Sequence, residues 1–198
     1  MLKRALVLSS AAALVSLCVP ASAADVFSLS STTFKDGTML PKKAANANTT
    51  GNNPNCVGEN VSPEFTWSGV PDGTKSFVFL MEDPEGRGGA GVHHMVTYGI
   101  DPAKVKSFAE GDLSKASDKF VGGKATQGTG IYNGPCTPAN VQPHHYTFVL
   151  IATDYDPKEL APGLTREEVL PKLAPVQGQP NHVKGSAGIV GLFVKPAN

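Results

Sequence analysis

The chain has 198 residues, with 17 lysines and arginines against 17 aspartates and glutamates, so its formal net charge is zero. This length suits one domain, and the scattered, balanced charge gives no electrostatic footprint for nucleic acid or for an anionic membrane surface. The 21 glycines and 16 prolines fall between short runs of β-forming residues, which favours a mainly β fold.

The first 23 residues have the pattern of a secretory signal peptide. A short basic start precedes an apolar run over 5–19, which is shorter than a membrane-spanning helix requires. Small residues follow, and we predict cleavage between Ala23 and Ala24. The mature domain would then comprise 24–198, with 15 basic and 17 acidic side chains and a formal charge of −2. We expect it to be periplasmic or secreted, without a transmembrane anchor.

The N-terminal half of this domain predicts strands separated by polar loops. Residues 25–34 are typical of a first strand, and 36–63 of a long loop rich in asparagine and glycine. A short strand and turn are expected over 63–71, and a strong strand over 75–84. The glycine-rich segment 85–91 is predicted to be a flexible connection.

Strands are predicted over 75–84, 92–100 and 144–154, of which the first and last are strong, and their alternation assigns side chains to faces. The first would carry Phe77, Phe79, Met81 and Asp83 on one face and Val78, Leu80 and Glu82 on the other. The second would place His94, Val96, Tyr98 and Ile100 together, and the third His144, Tyr146, Phe148, Leu150 and Ala152.

The C-terminal half adds the helical signals. Residues 101–130 predict loop structure, and Asp156-Pro157 can open a single helical turn. Thr165 to Glu168 is a capping box that would begin a short helix, which Pro171 should kink or end early. A closing strand is expected over 187–195. The pattern favours an antiparallel, Greek-key-like β-sandwich with a few short helices.

Polar side chains stand at the ends of the strong strands, where rigid scaffolds usually present function. Asp83 ends one strand, His94 begins the next, and His144 begins a third on the same face as Tyr146. Such a set could bind phosphate through imidazolium and phenol donors, hold a metal ion, or perform acid–base chemistry. Spacing alone does not decide among these. His145 should point to the opposite face.

Two cysteines, Cys56 and Cys136, remain after signal-peptide cleavage. In an oxidising compartment they most simply form one disulfide, although two reactive thiols are the alternative. Two cysteines alone make a poor metal site.

Four blocks, over 60–85, 94–100, 132–154 and 181–195, resemble the phosphatidylethanolamine-binding protein (PEBP) family in their order, and most of all its bacterial Raf-kinase-inhibitor-like branch. This resemblance implies a β-sandwich with a small anion pocket at one end. By position, the implied ligand-binding residues are Asp83, Pro84, Glu85, His94, Gly134, Pro135, His144 and Tyr146. The resemblance also pairs Cys56 with Cys136.

The chain departs from the family pattern in the pocket loops. The family usually has D-P-D-A-P where this chain has Asp83-Pro84-Glu85-Gly86-Arg87. Met95 replaces the tryptophan that follows the strand histidine, and Thr137 stands where proline is common. These departures leave the size of the pocket and its ligand preference open.

The functional expectation is a binding protein for a small, phosphate-containing anion. We expect no cofactor, no metal ion and no catalysis, since the sequence has no G-x-S-x-G elbow, H-E-x-x-H, P-loop or dinucleotide fingerprint. Two alternatives stay open: a protein-interaction module that inhibits an extracytoplasmic protease or another partner, and a metal-dependent or histidine-based hydrolase. A homodimer is also open.

Overall fold

A computed structural model describes residues 25–48, 56, 58–139, 141–173, 177–178 and 180–196. The predicted signal peptide lies outside these residues. The strands are β1 (Ser28–Ser30), β2 (Thr38–Met39), β3 (Phe65–Ser68), β4 (Ser76–Asp83), β5 (Val92–Ile100), β6 (Ser107–Phe108), β7 (Val121–Gly122), β8 (His144–Thr153) and β9 (Val183–Phe193). The helices are α1 (Gly86–Gly89), α2 (Arg166–Leu173) and two 3₁₀ turns, Lys42–Ala44 and Asp112–Ser114.

The strands form two sheets that pack face to face. The larger has the order β2-β9-β8-β4-β5-β7, and the smaller β1-β3-β6. The long strands are antiparallel, whereas the two-residue β2 pairs with β9 in parallel. The mainly β sandwich with few short helices is therefore confirmed. Within the described residues, no helix has the length and apolarity needed to cross a membrane.

The main core lies between the sheets and is aromatic at its centre. The Phe65 ring of the small sheet contacts Phe79 edge to face at 5.0 Å and Phe148 at 4.8 Å, and all three are fully buried. A second apolar cluster covers the outer face of the large sheet, where Val169 and Leu173 of α2 are buried. Burial of each such side chain stabilises the fold by roughly 1.5–3 kcal/mol.

Strand β4 is central because it is apolar on both faces. Phe77, Phe79 and Met81 belong to the core between the sheets, while Val78 and Leu80 belong to the outer cluster. The alternation predicted for this strand is confirmed, and it carries Asp83 towards the same side as Met81. Strand β8 follows its predicted face equally well, with Tyr146, Phe148, Leu150 and Ala152 in the main core.

The face predicted for β5 is wrong in part. Val96 and Tyr98 pack in the outer cluster, whereas Ile100 lies in the main core. The cause is two register shifts between β4 and β5, one between Phe77 and Phe79 and one between Met81 and Glu82. At the second, Met81 pairs with Met95 and Glu82 with His93, so that His94 has no pairing partner on β4. A bulge of this kind turns the extra residue out of the alternation.

Several loop predictions are corrected as well. The segment 36–63 contains β2 and a 3₁₀ turn, and 101–130 contains β6, β7 and another 3₁₀ turn. These strands have two residues each and pair with longer strands. Two residues are too few to show a strand periodicity, so the sequence does not predict them. The first strand is confined to Ser28–Ser30, and β9 begins at Val183 rather than 187.

The helical predictions are confirmed in part. The capping box is confirmed: the Thr165 N–H donates to Glu168 Oε2 at 2.8 Å, and the Glu168 N–H donates to Thr165 Oγ1 at 3.3 Å. Helix α2 nevertheless continues two residues past the exposed Pro171, because the buried Leu173 anchors its last turn. No helical turn forms at Asp156, where a non-helical turn is closed by the Glu159 N–H donating to the Asp156 carbonyl at 3.0 Å.

Candidate functional site

One end of the large sheet holds a cavity of about 770 Å³. Because β4 runs antiparallel to both of its neighbours, its C-terminal end lies beside the first residues of β5 and β8. Asp83, His94, His144 and Tyr146 therefore meet at this end, and all four line the cavity. Its volume lies in the range of small-molecule sites.

The Asp83 carboxylate is the centre of the site. Its side chain is 5% exposed, and it accepts hydrogen bonds from His144 Nδ1 at 2.9 and 3.1 Å and from the Gly86 N–H at 2.9 Å. His94 Nε2 lies 3.8 Å from Asp83 Oδ2. Burial alone would raise the pKa of Asp83, but the interactions with His94 and His144 outweigh burial and lower this pKa to about 2. The carboxylate is ionised at any physiological pH.

The partners of the two histidines define their tautomers. An ionised carboxylate can only accept, so His144 Nδ1 must carry a proton. His94 Nδ1 lies 2.7 Å from the Asn133 carbonyl oxygen, which is also only an acceptor, so this nitrogen is protonated too. Both Nε2 atoms are consequently bare in the neutral rings. They can donate to a ligand only after the imidazole has gained a second proton.

Tyr146 forms the apolar floor between these rings. Its side chain is fully buried, its ring meets His94 edge to face at 5.2 Å, and it stacks on His144 at 6.5 Å. Burial, reinforced by the charge of Asp83, raises the pKa of Tyr146. The phenol therefore stays neutral and keeps its proton as a donor.

The rim is built where the loop after β7 meets the asparagine-rich loop. The Gly134 N–H donates to Asn60 Oδ1 at 2.7 Å, and the Asn46 N–H donates to the Pro135 carbonyl at 2.9 Å. Position 134 requires glycine, because a Cβ there would stand 2.2 Å from the Ala44 carbonyl oxygen. The two loops thus behave as one wall of the cavity.

A disulfide joins Cys56 and Cys136 across this wall, with their Cα atoms 5.4 Å apart. This is the pairing that the resemblance implies, and it excludes two free thiols in this structure. Both cysteines line the cavity. The bridge therefore constrains the site itself as well as the loop that it closes.

Of the remaining residues implied by the resemblance, the structure places one in the cavity lining and three outside it. Gly134 lines the cavity, whereas Pro84, Glu85 and Pro135 are not among its lining residues. Glu85 instead accepts from the His145 N–H at 3.1 Å and pairs with His145 Nδ1 at 2.7 Å. These hydrogen bonds outweigh the effect of burial and lower the pKa of Glu85.

Sequence reasoning missed several lining residues. They are Asn46, Asn48, Gly86, Arg87, Val92, Thr126, Gln127, Asn133, Thr137 and Pro138. The departures at Gly86-Arg87 and Thr137 mark three of them in the sequence, but the glycine content of 85–91 predicts only a flexible connection. The asparagine content of 36–63 was the other signal, since asparagine amides satisfy the exposed backbone groups of such loops.

His93 points away from the cavity, as its strand position predicts. It pairs with Glu82 through Nδ1 and with Glu167 Oε1 through Nε2 at 2.8 Å, while Arg166 Nε lies 3.2 Å from Glu82 Oε1. This network joins α2 to the outer face of the sheet. Burial raises the pKa of Glu82 despite its basic neighbours.

A metal ion has one possible set of ligands among the described residues. Asp83, Glu85 and His144 each offer one ligand atom, and these atoms lie within 4.8 Å of one another. Carboxylate and imidazole ligands suit Zn²⁺ and similar ions. In this arrangement, however, Glu85 is occupied by His145 and His144 by Asp83.

Known proteins resemble the chain over most of its length. The profile of the family described as phosphatidylethanolamine-binding protein matches residues 30–185. A UPF0098 protein of Aquifex aeolicus is 32% identical over 171 residues, which cover 85% of this chain and 87% of that protein. LppC of Mycobacterium tuberculosis, which is named as a lipoprotein, is 32% identical over 179 residues, covering 90% and 78%.

Two crystal structures share the fold. YbcL of Escherichia coli, described as a member of the mammalian PEBP family, superposes with a TM-score of 0.70 at 28% identity, covering 85% of this chain and 99% of that one. CT736 of Chlamydia trachomatis, described as a PEBP homologue, gives 0.67 at 29% identity, covering 85% and 97%. The sandwich, the order of the sequence blocks and the family profile agree, and the chain belongs to the phosphatidylethanolamine-binding protein family.

Proposed function

We propose that this protein binds a small, phosphate-containing anion in the cavity, outside the cytoplasm and without catalysing a reaction. One observation carries the proposal. Two imidazoles surround a buried, ionised carboxylate, and each has its Nδ1 proton committed, while His94 Nε2 lies 3.8 Å from Asp83 Oδ2. Once doubly protonated, each ring carries an Nε2–H that can donate to a ligand.

The charges make such binding dependent on pH. Asp83 contributes one negative charge, and two imidazoliums would reverse it to a net positive charge. Imidazolium and phenol groups are good donors to phosphate oxygens, and such charge-assisted bonds are stronger than neutral ones. Glu85 and the exposed His145 pair with each other outside the lining, and the neutral Tyr146 adds no charge. Affinity for an anion should therefore fall as the pH rises and the imidazoles lose their second protons.

Calorimetric titration with inorganic phosphate and with sulfate tests the proposal. We expect His94→Ala and His144→Ala each to weaken binding by about tenfold or more, the loss typical of a hydrogen bond to a charged group. His145→Ala is the matched control, because that ring is 55% exposed and pairs with Glu85 outside the lining. Unchanged affinity in both cavity variants would overturn the proposal.

The source of the phosphate group needs its own comparison. Glycerophosphoethanolamine and vesicles of phosphatidylethanolamine present the same phosphodiester head group, free in solution and within a lipid surface. Binding of the free compound without vesicle binding would identify a soluble ligand, and the reverse result a lipid head group.

An extracytoplasmic location is supported by two observations. The first 23 residues have the pattern of a signal peptide, and the similar LppC is named as a lipoprotein. Cell fractionation with detection of the mature N-terminus at Ala24 tests it. Full-length protein in the cytoplasmic fraction would contradict it.

A metal-dependent hydrolase is the second candidate, favoured by the proximity of Asp83, Glu85 and His144. Elemental analysis of protein purified from its own compartment, followed by Zn²⁺ titration of Glu85→Gln, decides between the two. Stoichiometric metal that is lost in this variant would favour the hydrolase.

A further inference from the structure

The turn that follows Asp83 holds a non-glycine residue in a left-handed conformation. Arg87 has φ 55° and ψ 37°, and it is flanked by Gly86 and by Gly88 at φ 70°. An L-residue in this region costs about 1–2 kcal/mol that glycine avoids. Glycine would therefore serve the fold better at position 87, and the presence of arginine requires another reason.

The turn is fixed to the centre of the site. The Gly86 N–H donates to Asp83 Oδ1 at 2.9 Å, and the Gly91 N–H donates to the Gly86 carbonyl at 2.9 Å. A Cβ at Gly86 would lie 2.5 Å from Val92 Cγ2, so this residue is held closely against β5. The position of Arg87 relative to Asp83 is consequently determined by packing.

Arg87 is the only arginine or lysine among the described residues that line the cavity. Residues 87–90 are exposed, which places Arg87 at the rim, and no described carboxylate forms an ion pair with its side chain. A guanidinium stays charged at any physiological pH and can bind two phosphate oxygens at once. The cavity thus has one permanent, uncommitted cation.

Resting on the proposed function, we propose that Arg87 is the specificity-determining residue of the site and selects small phosphomonoesters over phosphodiesters. Asp83 contributes one negative charge to the cavity, and Arg87 contributes one positive charge that does not depend on pH. This permanent positive charge favours the more highly charged of two phosphate groups. Near pH 7 a phosphomonoester carries about −1.5 to −2 charges, whereas a diester carries only one.

The test compares methyl phosphate with dimethyl phosphate by calorimetry near pH 7. These probes differ by one methyl group and one charge. The wild-type protein should prefer methyl phosphate, and Arg87→Gly should reduce that preference by about tenfold, the loss expected for a bidentate charged contact. Arg87→Lys keeps the positive charge but cannot make a bidentate contact. Its preference for methyl phosphate should lie between those of the wild type and Arg87→Gly.

Arg87→Gly also guards against misfolding, because glycine relieves the left-handed strain. Its melting temperature should equal or exceed that of the wild type. Lys104→Gln, at a side chain that is 82% exposed on the surface, controls for the change in net charge and should leave the preference unchanged.

The outcomes separate the two proposals. A wild-type protein that binds neither probe overturns the proposed function and this inference with it. If the wild type and Arg87→Gly bind the probes with the same preference, the role of Arg87 is overturned and the proposed function stands.

Discussion

His144 Nδ1 donates to the Asp83 carboxylate at 2.9 Å, joining the first residue of β8 to the last residue of β4. Asp83 is buried and His144 is partly buried at the mouth of the sandwich, where two antiparallel neighbours bring their opposite ends together. Their hydrogen bond fixes the orientation of the imidazole and keeps its Nε2 available. The geometry of the site is thus a direct result of strand order.

The ionised carboxylate should also stabilise the fold. Since the pKa of Asp83 falls from 3.8 to about 2 on folding, its contribution is about 2 kcal/mol. A lowered folded-state pKa means that this stability is present above the unfolded pKa and is lost as the pH falls through the folded one. Asp83→Asn should therefore lower the free energy of unfolding by about 2 kcal/mol at pH 5–7 and progressively less towards pH 2.

Denaturant titration over this pH range measures the effect. Asp118→Asn is the control, because Asp118 is exposed and has no ion pair among the described residues. A constant difference between Asp83→Asn and wild type down to pH 2 would contradict the linkage.

The sequence predicted the strands that build the site better than the loops that surround it. Strong alternation in β4 and β8 placed Asp83 and His144 on the correct faces, because β4 extends to Asp83, β8 begins at His144, and the pairing between these two strands has no bulge. The same reasoning failed in β5, where His94 reaches the site through a bulge. The bulge arises from the pairing of β5 with β4, so the sequence periodicity of β5 alone cannot predict it.

The rim illustrates the other limit. Gly134 and Cys136 could be found through the resemblance to a family, but the hydrogen bonds of Asn46 with Asn133 and of Gly134 with Asn60 join residues 87 and 74 positions apart. Arg87 was visible as a departure from the family pattern. Its conformation, and hence its place in the cavity lining, depends on the turn that Gly86 allows.

The disulfide should contribute both to stability and to binding. Cys56 and Cys136 are 80 residues apart, and closing such a loop stabilises the folded state by roughly 4–5 kcal/mol in the chain-entropy account. The double variant Cys56→Ser/Cys136→Ser should unfold at lower denaturant concentration and bind phosphate more weakly. Reductant should reproduce both effects in the wild type and add nothing in the variant. Equal denaturation midpoints with and without reductant would contradict this expectation.

Gly134→Ala tests the close contact at the rim. The new Cβ would meet the Ala44 carbonyl oxygen at 2.2 Å, so the loop must move, at a cost of about 1–3 kcal/mol. Gly122→Ala in β7 is the matched control, since its Cβ would meet nothing within 4 Å. Its effect should stay within about 0.5 kcal/mol. Thermal unfolding of both variants measures the difference, and similar losses would show that the rim tolerates displacement.

Anion binding should take up protons from solution. The Nδ1 protons of His94 and His144 are committed to Asn133 and Asp83, so each neutral ring must gain a proton at Nε2 before it can donate to an anion.

Sulfate is the clean probe, because its own charge does not change between about pH 5 and 8, the range in which histidine titrates. In calorimetry with buffers of different ionisation enthalpy, the observed enthalpy should depend on the buffer at a pH where the rings are neutral and should lose this dependence as the pH is lowered. His94→Gln should reduce the proton uptake, whereas Arg87→Gly should weaken binding and leave the uptake unchanged. Binding without proton uptake at the higher pH would mean that the neutral rings do not contact the anion.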